Sequence, residues 1–229
     1  GSEMCIRDSG KTEQYIGFEQ KGKLITFNPK SHVRMSPSFQ PEADGVTFHL
    51  KAVYTDTLRN EYSKEHSTHP IRMSRICGPV EVVNDTTFTV RFYRMGLDNP
   101  KRTGGICLMA SVKQDHKYRS AVQQVEIRIP YRNKEGIPQR IIFPKLSDVK
   151  ASVKEISLNG TADSGLPVYY YVKEGPAEIK GDKLVLTKIP PRAKFPVKVT
   201  VVAWQYGRSG EPKVQTAEAV EQSFYITAR

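Results

Sequence analysis

Five histidines, His32, His49, His66, His69 and His116, are the side chains best suited to carry a proton or hold a metal ion near neutral pH. His66 and His69 stand close together, but no cysteine or second histidine pair lies at ligand spacing from them, so they read as solvated or structural. The phosphate loop, the nucleophile elbow Gly-x-Ser-x-Gly and the zinc motif His-Glu-x-x-His do not occur. Asp98, Asp115 and Glu126 supply carboxylates, yet nothing in the sequence pairs them as the acid and base of glycoside cleavage. The expectation is a chain with no catalytic residue, no metal ligand and no cofactor.

Three cysteines are too few for a disulfide-dense scaffold. Cys5 falls in an anomalous amino-terminal stretch, which leaves Cys77 and Cys107. These two can pair if the protein is exported. Cys107 alternates with Ile106 and Leu108, which puts it on the face opposite the expected core. Pairing cannot be read from sequence alone and stays open.

The elements that must position any site follow from composition and pattern. The chain has 229 residues, 38% hydrophobic and 9% aromatic, enough for a real core in one large or two ordinary domains. No apolar run approaches the roughly eighteen residues that span a bilayer, so no membrane insertion is expected. The net charge of +11 divides into +5 over residues 1–130 and +6 over residues 131–229. Without a basic tail, stripe or recognisable module, this diffuse excess does not point to nucleic acid.

Gly1-Ser2 reads as a scar of tag removal, and Glu3-Met4-Cys5-Ile6-Arg7-Asp8-Ser9 resembles a translated adaptor sequence. Residues 1–20 are therefore set aside as flank, with Cys5 not a native cysteine and the parent gene truncated at its 5′ end. The absence of a signal peptide then carries no weight.

From there the sequence repeats itself. Leu24-Ile25-Thr26-Phe27 matches Arg140-Ile141-Ile142-Phe143, and Gly78-Pro79-Val80-Glu81-Val82 matches Gly175-Pro176-Ala177-Glu178-Ile179. Ile106-Cys107-Leu108-Met109-Ala110 matches Val199-Thr200-Val201-Val202-Ala203, and Ala121-Val122-Gln123-Gln124 returns as Ala219-Val220-Glu221-Gln222. Three further blocks keep the same order. Each block is short, alternating and rich in Val, Ile, Phe and Tyr, and turn signals such as Asn84-Asp85 and Gly181-Asp182 separate them. No segment carries a capped helical stripe. The fold class expected is all-β, two tandem immunoglobulin-like β-sandwiches over residues 21–132 and 138–229, about seven strands each.

Residues 139–229 resemble the bacterial immunoglobulin-like domains of secreted and cell-surface proteins. The phrases that carry the likeness are Ile141-Ile142-Phe143-Pro144, Ser164-Gly165-Leu166-Pro167-Val168, Gly175-Pro176-Ala177, Gly181-Asp182-Lys183-Leu184 and Glu221-Gln222-Ser223-Phe224. The first unit fits more loosely, with longer loops around Tyr54 to Thr68 and Arg91 to Gly104. The resemblance implies an extracellular or cell-surface location. It also implies a non-catalytic role as spacer, adhesin or glycan-binding accessory, of the kind appended to carbohydrate-active proteins of Bacteroidota.

On the family pattern, Val168, Tyr170 and Val172 face the core while Tyr169 and Tyr171 point outward. In the next matching strand Val199, Val201 and Ala203 are core and Trp204 is outward; in the last, Phe224 and Ile226 are core and Tyr225 is outward. These strands resemble C, F and G, which share a sheet, so Tyr169 is expected beside Trp204. A platform of Tyr169, Tyr171, Trp204, Tyr206 and Tyr225, with Arg208 and the nearby Lys173 and Lys213, suits a polysaccharide or glycan, an anionic one included. The competing reading is that these rings pack against the first unit or an upstream domain of the same polypeptide. A second candidate patch, Arg91, Tyr93, Arg94, Lys101 and Arg102, mixes aromatic and cationic groups in a strand and its loop. It suits an anionic glycan or is an ordinary solvated loop.

Overall fold

A computed structural model of the chain describes residues 10–25, 37–56, 61–93 and 96–228. Among them there is no helix, and the chain is all-β. No helix is therefore long and apolar enough to cross a membrane among these residues. The chain forms two compact units. The first comprises residues 1–40, 48–89 and 105–129, and the second residues 41–47, 90–104 and 130–229.

The first half contributes β1 (Tyr15–Gln20), β2 (Lys23–Ile25), β3 (Thr47–His49), β4 (Lys51–Thr55), β5 (Arg72–Cys77), β6 (Val80–Val82), β7 (Thr87–Val90), β8 (Gly105–Val112) and β9 (Ala121–Arg128). They pair as β2-β1-β4, β3-β7-β6 and β5-β8-β9. Strict alternation makes β8 a strand: Ile106, Leu108, Ala110 and Val112 are buried, and the residues between them are half-exposed. The core joins these to Ile16, Phe18, Phe48 and Phe88, with Phe48 stacked on Phe88 at 5.6 Å.

β1 lies inside the stretch set aside as flank, and that boundary is corrected. Tyr15–Gln20 pairs along β4 from Tyr15↔Thr55 to Glu19↔Lys51, and Ile16 and Phe18 are 2% and 0% exposed. The Phe18 ring and the Ile16 branch of this short run close the core. Cys5 lies outside the described residues.

The second half contributes β10 (Ile141–Ile142), β11 (Val149–Lys150), β12 (Glu155–Ser157), β13 (Thr161–Ala162), β14 (Tyr169–Glu174), β15 (Ala177–Lys180), β16 (Lys183–Leu186), β17 (Val197–Trp204) and β18 (Val220–Thr227). One sheet runs β11-β18-β17-β14 and the other β12-β16-β15, with β10 and β13 as a separate pair. The order places β14, β17 and β18 as C, F and G, and β12, β16 and β15 as B, E and D, of an immunoglobulin-like sandwich. Leu184 from one sheet and Val199, Val201, Ala203, Phe224 and Ile226 from the other meet in a single core cluster. Burying such branched side chains is the main stabilising term.

The repeated Gly-Pro phrase has a backbone cause. Gly78 and Gly175 adopt φ of +96° and +103° at the matching turns. A Cβ on either would meet the backbone of the neighbouring strand, 2.3 Å from the Gly105 carbonyl oxygen or 2.6 Å from that of Lys198. Only glycine permits that approach together with that φ.

Asp115 fastens the β8–β9 turn to the loop before β5. Its carboxylate accepts from Ser67 Oγ at 2.6 Å and from the amides of Lys117 and Tyr118 at 2.8 and 2.7 Å. The Ser67 bond above all, with the Tyr118 amide next, holds its pKa at about 2, below the ordinary 3.8. A carboxylate depressed on folding contributes stability that is present above the ordinary value and lost as pH falls through the folded one. Denaturant midpoints of the wild type should therefore drop as pH falls from about 3.8 to about 2, and Asp115→Asn should flatten that part of the profile.

Candidate functional site

The aromatic set lies at one end of β14 and β17. Tyr169 and Trp204 are directly opposed across the two antiparallel strands, with ring centroids 4.9 Å apart. β17 alternates as expected, but both of its faces are covered from Val199 to Trp204. Trp204 and Tyr206 are each 0% exposed, and Thr200 and Val202 on the same side are also buried. The expected outward platform is thus corrected for Trp204 and Tyr206, whose rings offer no face to solvent.

The cover comes from residues 90–93 and 96–104, which belong to the same compact unit. Phe92 meets Trp204 edge-on at 4.8 Å, the geometry that sets a positive ring edge on a negative ring face. Its ring lies 5.8 Å from that of Tyr206. Leu97 is fully buried, and Gly96, at φ of +62°, leaves no room for a Cβ against the Tyr171 hydroxyl, 2.6 Å away. Arg91 lies over the Tyr169 ring at 4.3 Å. The indole Nε1 of Trp204 is buried without a hydrogen-bond partner, so packing alone holds that ring.

A charged side chain completes the cluster. Arg102 is 6% exposed and sits between rings, 4.9 Å from Phe92 and 4.1 Å from Tyr131. It donates to the carbonyls of Leu97, at 3.2 Å, and Tyr131. Burial lowers the guanidinium from its ordinary value, and the two tyrosines Tyr206 and Tyr131 oppose that shift. Arg102 is corrected as a ligand contact, because it is buried between ring faces with Nε and Nη2 bonded to backbone carbonyls. Tyr206 donates to the Pro130 carbonyl and its own carbonyl accepts from Asn133 and Thr216, at 3.0 and 2.6 Å. Burial pushes the Tyr206 hydroxyl far above its usual range and the Tyr171 hydroxyl up to about 12.

The remaining predicted residues are dispersed. Tyr225 is 42% exposed on β18, and Lys101 is exposed. Arg208 donates to the carbonyls of Ala43, at 2.9 Å, and Pro212. Lys173 pairs with Glu221 and Lys213 with Glu135, each at 2.5 Å. Arg94 lies outside the described residues. Tyr93 and Tyr171, taken from the two separate candidate patches, come together: with Tyr170, Gly175, Glu178 and Ile179 they line an open cleft of about 500 Å³. Tyr93 is 39% exposed there, while Tyr171 shows only 8%.

Phe92, Gly96 and Leu97 were not among the candidates. Their signal was an apolar pair and a glycine inside a stretch that reads as a cationic loop. Among the described residues serine, histidine and aspartate meet at Ser67, His66 and Asp115, but not as a relay. Ser67 Oγ donates straight to Asp115, while His66 stacks on Tyr54 at 4.2 Å with Nδ1 on the Ser67 carbonyl. No imidazole stands between hydroxyl and carboxylate to take a proton, as nucleophile activation requires. Among the described residues no group of three or more His, Cys, Asp or Glu could hold a metal ion.

No protein-family model matches the chain. No curated protein matches its sequence. Among solved structures it is similar to human protocadherin-24 EC1-2, at 14% identity and a TM-score of 0.32, with 85% of this chain and 94% of that one covered. Mouse cadherin-23 EC22-24 matches at 18% identity and a TM-score of 0.28, covering 94% of this chain and 65% of that one. Drosophila N-cadherin EC1-4 matches at 10% identity and a TM-score of 0.29; the chain spans 47% of its length. A likeness this loose brings no function with it, and the fold stands on the strand pairing.

The buried cluster predicts which residues matter for stability. Phe92→Ala should destabilise the second unit by about 3–5 kcal/mol, the range for emptying a buried aromatic site. Lys101→Ala should change denaturant unfolding by no more than about 0.5 kcal/mol.

Proposed function

We propose that the chain is a non-catalytic structural module of an extracellular protein, an interdomain spacer or adhesin stalk made of tandem immunoglobulin-like sandwiches. The single observation that carries this reading is the use made of the strongest ligand-like feature. Trp204, Tyr206 and Arg102, the groups best able to stack on a sugar or grip an anion, are buried by Phe92 and Leu97. Side chains so engaged hold the fold together.

A second reading rests on one observation, the cleft lined by Tyr93, Tyr170 and Tyr171. Its volume of about 500 Å³ is in the range of small-ligand sites, and Tyr93 presents part of its ring to solvent. In this reading the module binds a glycan there and positions a neighbouring domain on a polysaccharide.

Affinity gels cast with neutral and anionic polysaccharides separate the two. The spacer reading predicts unretarded migration on every gel at low salt. Retardation that Tyr93→Ala abolishes would replace the spacer with the glycan reading. Retardation that instead fades steeply with salt and ignores Tyr93→Ala would mark only the diffuse positive charge.

A further inference from the structure

The geometry points to Cys77 and Cys107 as a cross-strand dithiol that closes to a disulfide by exchange with a low-molecular-weight disulfide. Both are thiols in the structure, Cys77 exposed and Cys107 half-buried. They are directly opposed on β5 and β8, an antiparallel pair of one sheet. Opposed residues have Cα atoms roughly 4.5–5.5 Å apart with side chains on the same face. That separation falls within the ~4.4–6.8 Å that disulfides span. The face is the outer one, because Cys107 alternates with the fully buried Ile106 and Leu108.

Two independent features fix the pair in place. Gly78, the residue after Cys77, packs its Cα so closely on β8 that a Cβ would stand 2.8 Å from the Ile106 Cα. The end of β5 is thereby held against β8 at the cysteine level. The second repeat shows what this position does with other side chains. There Glu174 opposes Thr200, again just after a register shift, and Thr200 Oγ1 donates to Glu174 Oε2 at 3.3 Å. Side chains at these matched positions meet across the strands in both copies of the fold, as a hydrogen bond in one and as two thiols in the other.

Exposure orders the chemistry. Burial first, then the neighbouring Cys77 and the Glu126 carboxylate, raise the Cys107 thiol above its usual value, so it is the poorer first nucleophile. The Cys77 thiolate attacks one sulfur of the small disulfide, breaking its S–S bond and releasing one thiolate. The Cys107 thiolate then attacks the Cys77 sulfur of the mixed disulfide and expels the second small thiolate. Two protein thiols are oxidised, one small disulfide is reduced to two thiols, and the two protons pass to the leaving groups. The product ties edge strand β5 to β8.

Oxidised glutathione is the probe, applied to the full chain carrying Cys5→Ser, followed by alkylation and peptide mass spectrometry. The expected product has lost two hydrogens, keeps no glutathione and joins the Cys77 peptide to the Cys107 peptide. Cys107→Ser should stop at one glutathione on Cys77, and Cys77→Ser should react at least about tenfold more slowly. Stable glutathione on Cys77 while Cys107 remains free would overturn the assignment. So would disulfide-linked dimers in place of the internal bond.

Discussion

A tryptophan on the outer face of a β-sheet has to be covered. Trp204, extended by Tyr206 and Tyr169, would expose a large apolar area, and the chain answers with its own residues 90–93 and 96–104. Phe92 and Leu97 supply the apolar contact, Gly96 the clearance over Tyr171, and Arg102 a cation buried among rings and carbonyls. The second compact unit is therefore assembled from discontinuous pieces of sequence. Its aromatic content serves cohesion, and the proposed spacer role follows from that use.

Arg102 shows how such a cluster tolerates a charge. Removing a guanidinium from water is costly unless its donors are met. Nε and Nη2 bond carbonyls, while the Phe92 and Tyr131 rings lie within 5 Å of the guanidinium carbon. Nη1 has no partner, as Trp204 Nε1 has none. Both orphans sit in this cluster, so the packing around them must outweigh two unmade hydrogen bonds.

Much of this was legible in the sequence, and the reasons are local. The alternation of Ile106 to Val112 and of Val199 to Trp204 fixes strands, and the paired Gly-Pro turns fix matching corners. Antiparallel pairing of β14 with β17 follows from their likeness to strands C and F of an immunoglobulin-like sandwich and sets Tyr169 opposite Trp204. What covers a sheet face is a long-range fact. Alternation tells that Trp204 leaves the core of its own sandwich, but not that residues more than a hundred positions earlier close over it. A loop rich in arginine hides its role, because the apolar Phe92 and Leu97 are outnumbered by charges. The first strand escaped for a related reason: six residues, Tyr15–Gln20, are too short a run to stand out beside an anomalous flank.

Trp204 is the single tryptophan of the chain, so its fluorescence reports on the central contact without interference from another indole. The cover by Phe92 and Leu97 predicts blue-shifted emission from the folded protein and acrylamide quenching as low as for a fully buried indole. Red-shifted emission, freely quenched while the strands remain intact by circular dichroism, would contradict it.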